Sequence, residues 1–187
     1  MNRAVNHLKE NQTLYLAIVS TIIMILYAQF ILGNYSSCFT INGTSNSLGL
    51  SFGYDINNVY HFFDIRSFEQ LHCYAQFIRV WDNIFPIVYT LMYALWFAYL
   101  LKKWRLFLII PILHMFSDWL ENYLELAMLE EYMNLNALSE SLVSMGSGVT
   151  ILKWSLSILT YSIIIFGIIS KVHSAIRNRK MVASENE

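Results

Sequence analysis

Four apolar runs constrain the fold of this chain more than any other feature of its sequence. They cover residues 13–32, about 81–101, 106–128 and 148–170. Each run is about 20 residues long, and a helix rises ~1.5 Å per residue, so each can cross a hydrocarbon core of ~30 Å. Backbone polar groups in lipid need partners within their own segment, which requires helices here. The sequence therefore predicts an all-α fold, a polytopic membrane protein with a bundle of four transmembrane helices.

Composition supports this prediction and excludes other classes of protein. Of the 187 residues, 56% are hydrophobic and 13% are charged, whereas soluble domains contain about 25% charged residues. This length suits a single membrane domain, 1–187. The net charge of -1 provides no basic stripe, so we expect no nucleic-acid partner.

The distribution of Lys and Arg predicts the orientation. Nine cations fall on one side of the predicted bundle: Arg3, Lys9, Lys102, Lys103, Arg105, Lys171, Arg177, Arg179 and Lys180. The loops on the other side carry only Arg66 and Arg79. Because basic loops stay in the cytoplasm, both termini should be cytoplasmic, including the tail 171–187.

No small-residue cleavage site follows the first run, so we expect a retained helix rather than a signal peptide. The frequent Asn, Ile, Tyr and Ser favour a bacterial source, hence a multi-pass protein of its plasma (inner) membrane.

The predicted outer segment, residues 33–80, should be partly helical. Asp55 can cap a short helix that continues to Phe63. Ser67 and Gln70 have the spacing of a capping box. The helix that starts there should run without a break into the second span.

Both cysteines, Cys38 and Cys73, lie in this outer segment. They should meet an oxidising compartment, where a disulfide can persist. We expect a bridge, and the alternative is two unpaired buried thiols. The chain has no C-x-x-C motif, which argues against a dithiol oxidoreductase.

Ionisable residues inside the predicted spans carry most of the functional information. Such residues are expensive in lipid and are candidates for functional sites. The candidate catalytic residues are Asp118, Glu121 and Lys153, and the candidate ligand-binding residues are Asp82, Tyr89, His114, Asn122 and Thr150. Helical spacing puts the members from each helix on one face, and the charged members Asp82, Asp118, Glu121 and Lys153 lie at a similar depth in the outer half of the membrane.

Lys153 should face Asp118 and Glu121 inside the bundle, because unpaired charges there are costly. Other interpretations remain open: Asp82 pairs with Arg79, the Asp118–Lys153 pair only specifies the fold, or His114 is a hydrogen-bonded core residue. No second histidine joins His114, so we expect no metal site. We expect no cofactor either.

The arrangement of these residues resembles an uncharacterised family of small bacterial four-helix integral membrane proteins. The resemblance spans residues 50–165 and rests on Phe52-Gly53-Tyr54, on Asp82 with Pro86 and Tyr89, on Asp118-Trp119-Leu120-Glu121-Asn122, and on Thr150 with Lys153. It implies the four-helix fold and no particular activity. The long loop before the second helix is also similar to that of claudin-like proteins, whose loop signature is absent here. The sterol-isomerase-related membrane domain is similar in topology and buried carboxylates.

Three functions fit the sequence. The favoured one is a binding or accessory membrane subunit with a buried Asp/Glu/Lys network. The alternative is a membrane enzyme that performs acid–base chemistry on a lipid or isoprenoid-like substrate. A transporter is the third, although four helices are few for alternating access. The expected partners are membrane lipids, a hydrophobic small-molecule or lipid ligand, and a second copy or another membrane protein.

Overall fold

The computed structural model of the chain describes residues 2–41, 47–101 and 103–184, and all regular elements in these ranges are helical. The α-helices are α1 (Asn2–Leu26), α2 (Gly33–Ser36), α3 (Ile56–Asp64), α4 (Phe68–Phe77), α5 (Asn83–Leu100), α6 (Trp104–Phe107), α7 (Ile109–Leu135) and α8 (Glu140–Ser184). Two π-helical turns, Tyr27–Leu32 and Ile78–Asp82, join α1 to α2 and α4 to α5. A 3-10 turn covers Leu48–Leu50.

Among the described residues, three helices are long and apolar enough to cross a membrane: Asn11–Ser36, Phe68–Leu100 and Glu140–Arg177. These helices extend beyond the predicted apolar runs, because an apolar run marks only the lipid-length part of a helix. The second of these helices begins at Phe68 and continues through the π-helical turn into α5, which confirms the predicted unbroken helix. The third begins at Glu140 rather than 148, and α8 continues to Ser184. The predicted tail is therefore largely a continuation of this helix.

Helix α7 covers the third predicted run but has a different composition. Its buried face carries Asp118, Glu121 and Glu125. With these three carboxylates, α7 is not among the helices that are apolar enough by composition to cross a membrane. Its exposed side chains include Leu113 and Phe116, which are 48% and 55% exposed. The polarity of α7 is thus the reverse of that of a surface helix in a soluble protein.

The long helices pack as one bundle. Helix α5 packs against both α1 and α7, and α7 packs along α8. Near the start of α5, Pro86 has no N–H to bond the carbonyl four residues back. The π-helical turn Ile78–Asp82 lies directly before that point. The Tyr27 hydroxyl donates to the Trp81 carbonyl at 2.9 Å, so a side chain from the first helix supports the irregular turn.

The outer segment folds onto the end of this bundle and confirms both predicted caps. Asp55 accepts a hydrogen bond from the Asn58 backbone at 2.8 Å, and Ser67 forms the capping box that starts α4. Buried aromatic residues such as Phe39 and Phe63 form the core of this region.

Two links hold the start of the outer segment to its helices. Cys38 and Cys73 form a disulfide, with their Cα atoms 6.3 Å apart. Arg66 is only 5% exposed, and its Nε donates to the Phe39 carbonyl at 2.9 Å. Its guanidinium also lies 3.6 Å from the Phe62 ring centroid. This predicted loop cation is therefore part of the core.

Candidate functional site

A cavity of about 420 Å³ lies inside the helical bundle. Its walls come from the first long helix, the outer segment, α5, α7 and α8. Five of the sequence-predicted site residues line it: Asp82, Tyr89, His114, Asp118 and Lys153. Pockets that bind small molecules occupy ~300–1,000 Å³, so this cavity has the volume of a ligand site.

The other three predicted residues do not line the cavity. Glu121, Asn122 and Thr150 are each at most 1% exposed and lie behind its wall. The Asn122 amide approaches the Asn83 side-chain oxygen at 3.5 Å. The Thr150 hydroxyl donates to the Gly146 carbonyl within its own helix at 3.1 Å. The structure thus divides the predicted site into two layers.

We call Asp82, Tyr89, Tyr93, His114 and Asp118 the cavity wall. The Tyr89 hydroxyl donates to Asp118 Oδ2 at 3.0 Å. The His114 ring stacks on Tyr89 with centroids 4.5 Å apart. Its Nδ1 atom is buried and has no hydrogen-bond partner among the described residues. The wall therefore holds polar atoms that a ligand can engage.

Asp82 reaches the cavity from the π-helical turn before α5. Its strongest electrostatic neighbours are Asp118 and Lys153. Arg79, the alternative partner considered from the sequence, is exposed. The irregular turn thus lies next to the other charged groups of the cavity.

Behind the wall lies a second layer, which we call the closed cluster: Gly49, Tyr74, Glu121, Glu125 and Lys153. Lys153 forms an ion pair with Glu121, and its Nζ also donates to the Gly49 carbonyl at 3.0 Å. The predicted partner Asp118 instead accepts the Tyr89 hydroxyl. Lys153 and Gly49 belong to both layers, because both also line the cavity.

Glu125 and Tyr74 were not predicted as members of the site. The Tyr74 hydroxyl donates to Glu125 in the closed cluster, and Glu125 is 1% exposed. The sequence contains a signal for Glu125, because it continues the stripe of Asp118 and Glu121 by one further turn. Tyr74 has no comparable signal, since it lies in the outer part of another helix.

Gly49 of the outer segment packs against this cluster and covers its carboxylates. The Gly49 carbonyl accepts Trp154 Nε1 at 3.1 Å in addition to Lys153. A Cβ atom at Gly49 would lie 2.9 Å from Glu121 and 3.0 Å from Glu125. Glycine is therefore the residue that lets the backbone approach both carboxylates.

Nearby, Tyr54 fills the space between the loop and α8. Its backbone N–H donates to the Ser147 hydroxyl at 2.9 Å. Burial, followed by the charge of Glu125, raises the pKa of Tyr54. Its phenol therefore stays neutral and contributes no further charge to the closed cluster.

The first long helix and α8 lie on opposite sides of the cavity, and each packs mainly on a different helix. Met24 and Ala28 of the first long helix line one side, and Ser157 and Tyr161 of α8 line another. The first helix packs mainly on α5, and α8 packs mainly on α7. The cavity thus lies between two helices that are not each other's principal neighbours.

Comparison with protein-family models, with curated proteins and with solved structures finds no match to this chain. Within the described residues, no group of three His, Cys, Asp or Glu side chains is arranged to hold a metal ion. The site must therefore be interpreted from its own geometry.

Proposed function

We propose that this chain is a four-helix integral membrane protein that binds an amphipathic small molecule or lipid inside its bundle. The observation that carries this proposal is the cavity of about 420 Å³ bounded by Asp82, His114 and Asp118. A bundle whose charges served packing alone would be expected to fill this space, because protein interiors are close-packed.

Helix α7 is the proposed fourth span. Its 27 residues would extend ~40 Å at ~1.5 Å per residue, longer than a hydrocarbon core of ~30 Å. The exposed residues Leu113, Phe116 and Leu120 suit contact with lipid. The carboxylates face inward, where polar residues of membrane helices are normally found.

The orientation and location belong to the same proposal. The bias of Lys and Arg supports cytoplasmic termini. The disulfide between Cys38 and Cys73 supports an oxidising outer side. Together with the resemblance to small bacterial membrane proteins, these features favour the plasma membrane of a bacterium. Reporter fusions after α5 and α7 would test the orientation, because the first site should be cytoplasmic and the second should lie outside.

Membrane lipid is the proposed source of the ligand. The cavity lies between the first long helix and α8, whose outer faces are apolar, as Ile22 and Phe166 illustrate. A molecule with an apolar tail could place its head at the cavity wall while its tail remains among lipid chains. A second copy or another membrane protein remains a candidate partner through the same apolar faces.

A second candidate is an enzyme that performs acid–base chemistry on the bound molecule. The contact between Tyr89 and Asp118 at 3.0 Å favours it, because both groups line the cavity beside His114. Asp118 would exchange the proton and Tyr89 would orient the carboxyl group. Glu121, the other predicted acid–base residue, is ion-paired in the closed cluster. That position suits a supporting role.

Native mass spectrometry of protein released from lipid nanodiscs tests the proposal. The wild type should retain a bound molecule, and Ala28→Trp, which fills the cavity, should lose it. Ile22→Trp is the matched control, because Ile22 lies on the same helix, is 51% exposed and does not line the cavity. Equal spectra for the wild type and Ala28→Trp would contradict a ligand site. A conversion of the released molecule by the wild type, absent in Asp118→Asn, would support the enzyme.

A further inference from the structure

We infer that the ligand of this cavity carries a cationic head group, a protonated amine, held between Asp82 and Asp118. This inference rests on the proposed function and specifies its ligand class. It follows from the balance of charge, from the aromatic lining and from the positions of the polar atoms in the wall.

The balance of charge comes first. The acidic and basic side chains that line the cavity, apart from His114, are Asp82, Asp118 and Lys153. The charge of Lys153 is already matched by Glu121 in the closed cluster. Within the described part of the chain, the single charge of Lys153 is thus shared by three carboxylates, Glu121, Asp118 and Asp82, and negative charge is in excess. A buried charge without a partner is unfavourable in a medium of low dielectric constant. A ligand that brings one positive charge would halve this imbalance.

The lining of the cavity also suits a cation. Among the described residues, six aromatic side chains contribute to its walls: Phe77, Phe85, Tyr89, Tyr93, Trp154 and Tyr161. Aromatic faces attract ammonium groups, and the attraction is greater where water is excluded. Lys153 already places its ammonium 5.5 Å from the Trp154 ring centroid. The same walls can therefore hold both the charge and the alkyl substituents of an amine.

Other head groups fit less well. An anionic head would face Asp82 and Asp118, while Lys153 is engaged by Glu121 and the Gly49 carbonyl. A neutral hydroxyl could bond to one carboxylate but would leave the excess charge unchanged. The His114 ring stacks on Tyr89 in the same wall, so the surface beside Asp118 is aromatic rather than basic.

Three amphiphiles with the same dodecyl chain separate these possibilities: dodecylamine, dodecanol and dodecanoate. Each is added to the wild type in nanodiscs at neutral pH, and affinity is measured from the shift in the thermal unfolding midpoint. We expect dodecylamine to bind at least about tenfold more tightly than the other two, the difference that a paired buried charge provides.

Variants then locate the head group. Asp118→Asn and Asp82→Asn should each weaken the binding of dodecylamine by about tenfold or more while leaving dodecanol unchanged. Glu130→Gln is the matched control, because Glu130 is an exposed carboxylate on the same helix as Asp118. It should bind dodecylamine like the wild type.

Failure of this inference can be distinguished from failure of the proposed function. If dodecanol or dodecanoate binds the wild type as tightly as dodecylamine, the cationic head is overturned, but the ligand cavity stands. Undiminished dodecylamine binding in both Asp variants would also overturn it. If none of the three binds and Ala28→Trp matches the wild type in native mass spectrometry, the ligand cavity itself is refuted. The comparison of the three amphiphiles uses only the wild type, so it does not depend on whether any variant folds.

Discussion

The cavity wall and the closed cluster place buried carboxylates from the same helix in opposite situations. Asp118 and Glu121 are three residues apart on α7 and are 7% and 1% exposed. Glu121 forms an ion pair with Lys153 of α8, and Glu125 accepts a hydrogen bond from the Tyr74 hydroxyl of α4. Asp118 has Tyr89 as its partner and faces open space. Burial alone therefore does not distinguish a packing charge from a ligand-binding charge.

The outer loop accounts for much of this difference. The Gly49 carbonyl accepts hydrogen bonds from Lys153 and Trp154, so the loop lies directly over the closed cluster. In the cavity wall, His114 and Asp118 lie closer to the N-terminal end of α7 than Glu121 and Glu125 do. One layer is thus completed by the protein, and the other leaves room for a ligand.

Lys153→Met should give the largest loss of stability. The substitution leaves Glu121 buried without its cation and removes a donor to Gly49. Breaking a buried pair costs ~3–5 kcal/mol, and thermal unfolding in a mild detergent would measure the change. Lys153→Arg keeps the charge and should retain more of the stability. A Lys153→Met protein as stable as the wild type would show that the closed cluster does not support the fold.

Reduction of the disulfide should have the next largest effect. Cys38 and Cys73 are separated by 35 residues, and a bridge closing a loop of that size contributes ~2–4 kcal/mol. Cys38→Ser with Cys73→Ser should lower the unfolding midpoint, and a reducing agent should lower that of the wild type alone. Equal midpoints for oxidised wild type and the double variant would contradict the role of the bridge in holding the outer segment.

Gly49→Ala tests the close approach of the loop to the carboxylates. The new methyl group would lie 2.9 Å from Glu121 and 3.0 Å from Glu125, and such overpacking costs ~1–3 kcal/mol. Gly148→Ala is the matched control, because nothing lies within 4 Å of a Cβ there. It should be neutral or stabilise α8 by up to ~1 kcal/mol. Equal effects of the two substitutions on the unfolding midpoint would show that Gly49 does not lie close against the carboxylates of the closed cluster.

Asp118→Asn should have the smallest effect on stability. The amide oxygen can still accept the Tyr89 hydroxyl, and removing an imperfectly paired charge often leaves a protein as stable or more stable. We expect a change of less than ~1 kcal/mol in chemical unfolding. A loss as large as that of Lys153→Met would place Asp118 among the structural charges and weaken the ligand-site interpretation.

The sequence predicted the broad features because they depend on local patterns. Apolar runs locate the long helices, and the spacing at Asp55 and Ser67 locates two helix starts. Helical periodicity also identified Asp82, His114 and Asp118, which share the cavity. The partner of Lys153 was predicted less well, because the choice between Asp118 and Glu121 depends on how far α8 is rotated and shifted against α7. The part played by Gly49 and Tyr74 could not be predicted, since it depends on the tertiary path of the outer loop.

The most direct test of the account is the reactivity of a cysteine placed in the cavity. Ser157 and Ser117 are 7% and 5% exposed, but only Ser157 lines the cavity. Ser157→Cys and Ser117→Cys would each carry one free thiol beside the native disulfide. Modification by the small neutral reagent methyl methanethiosulfonate would be followed in nanodiscs. The account predicts that Ser157→Cys reacts in the native fold, that added Ala28→Trp blocks this reaction, and that Ser117→Cys reacts only on unfolding. Equal and slow modification of both thiols would contradict an accessible cavity.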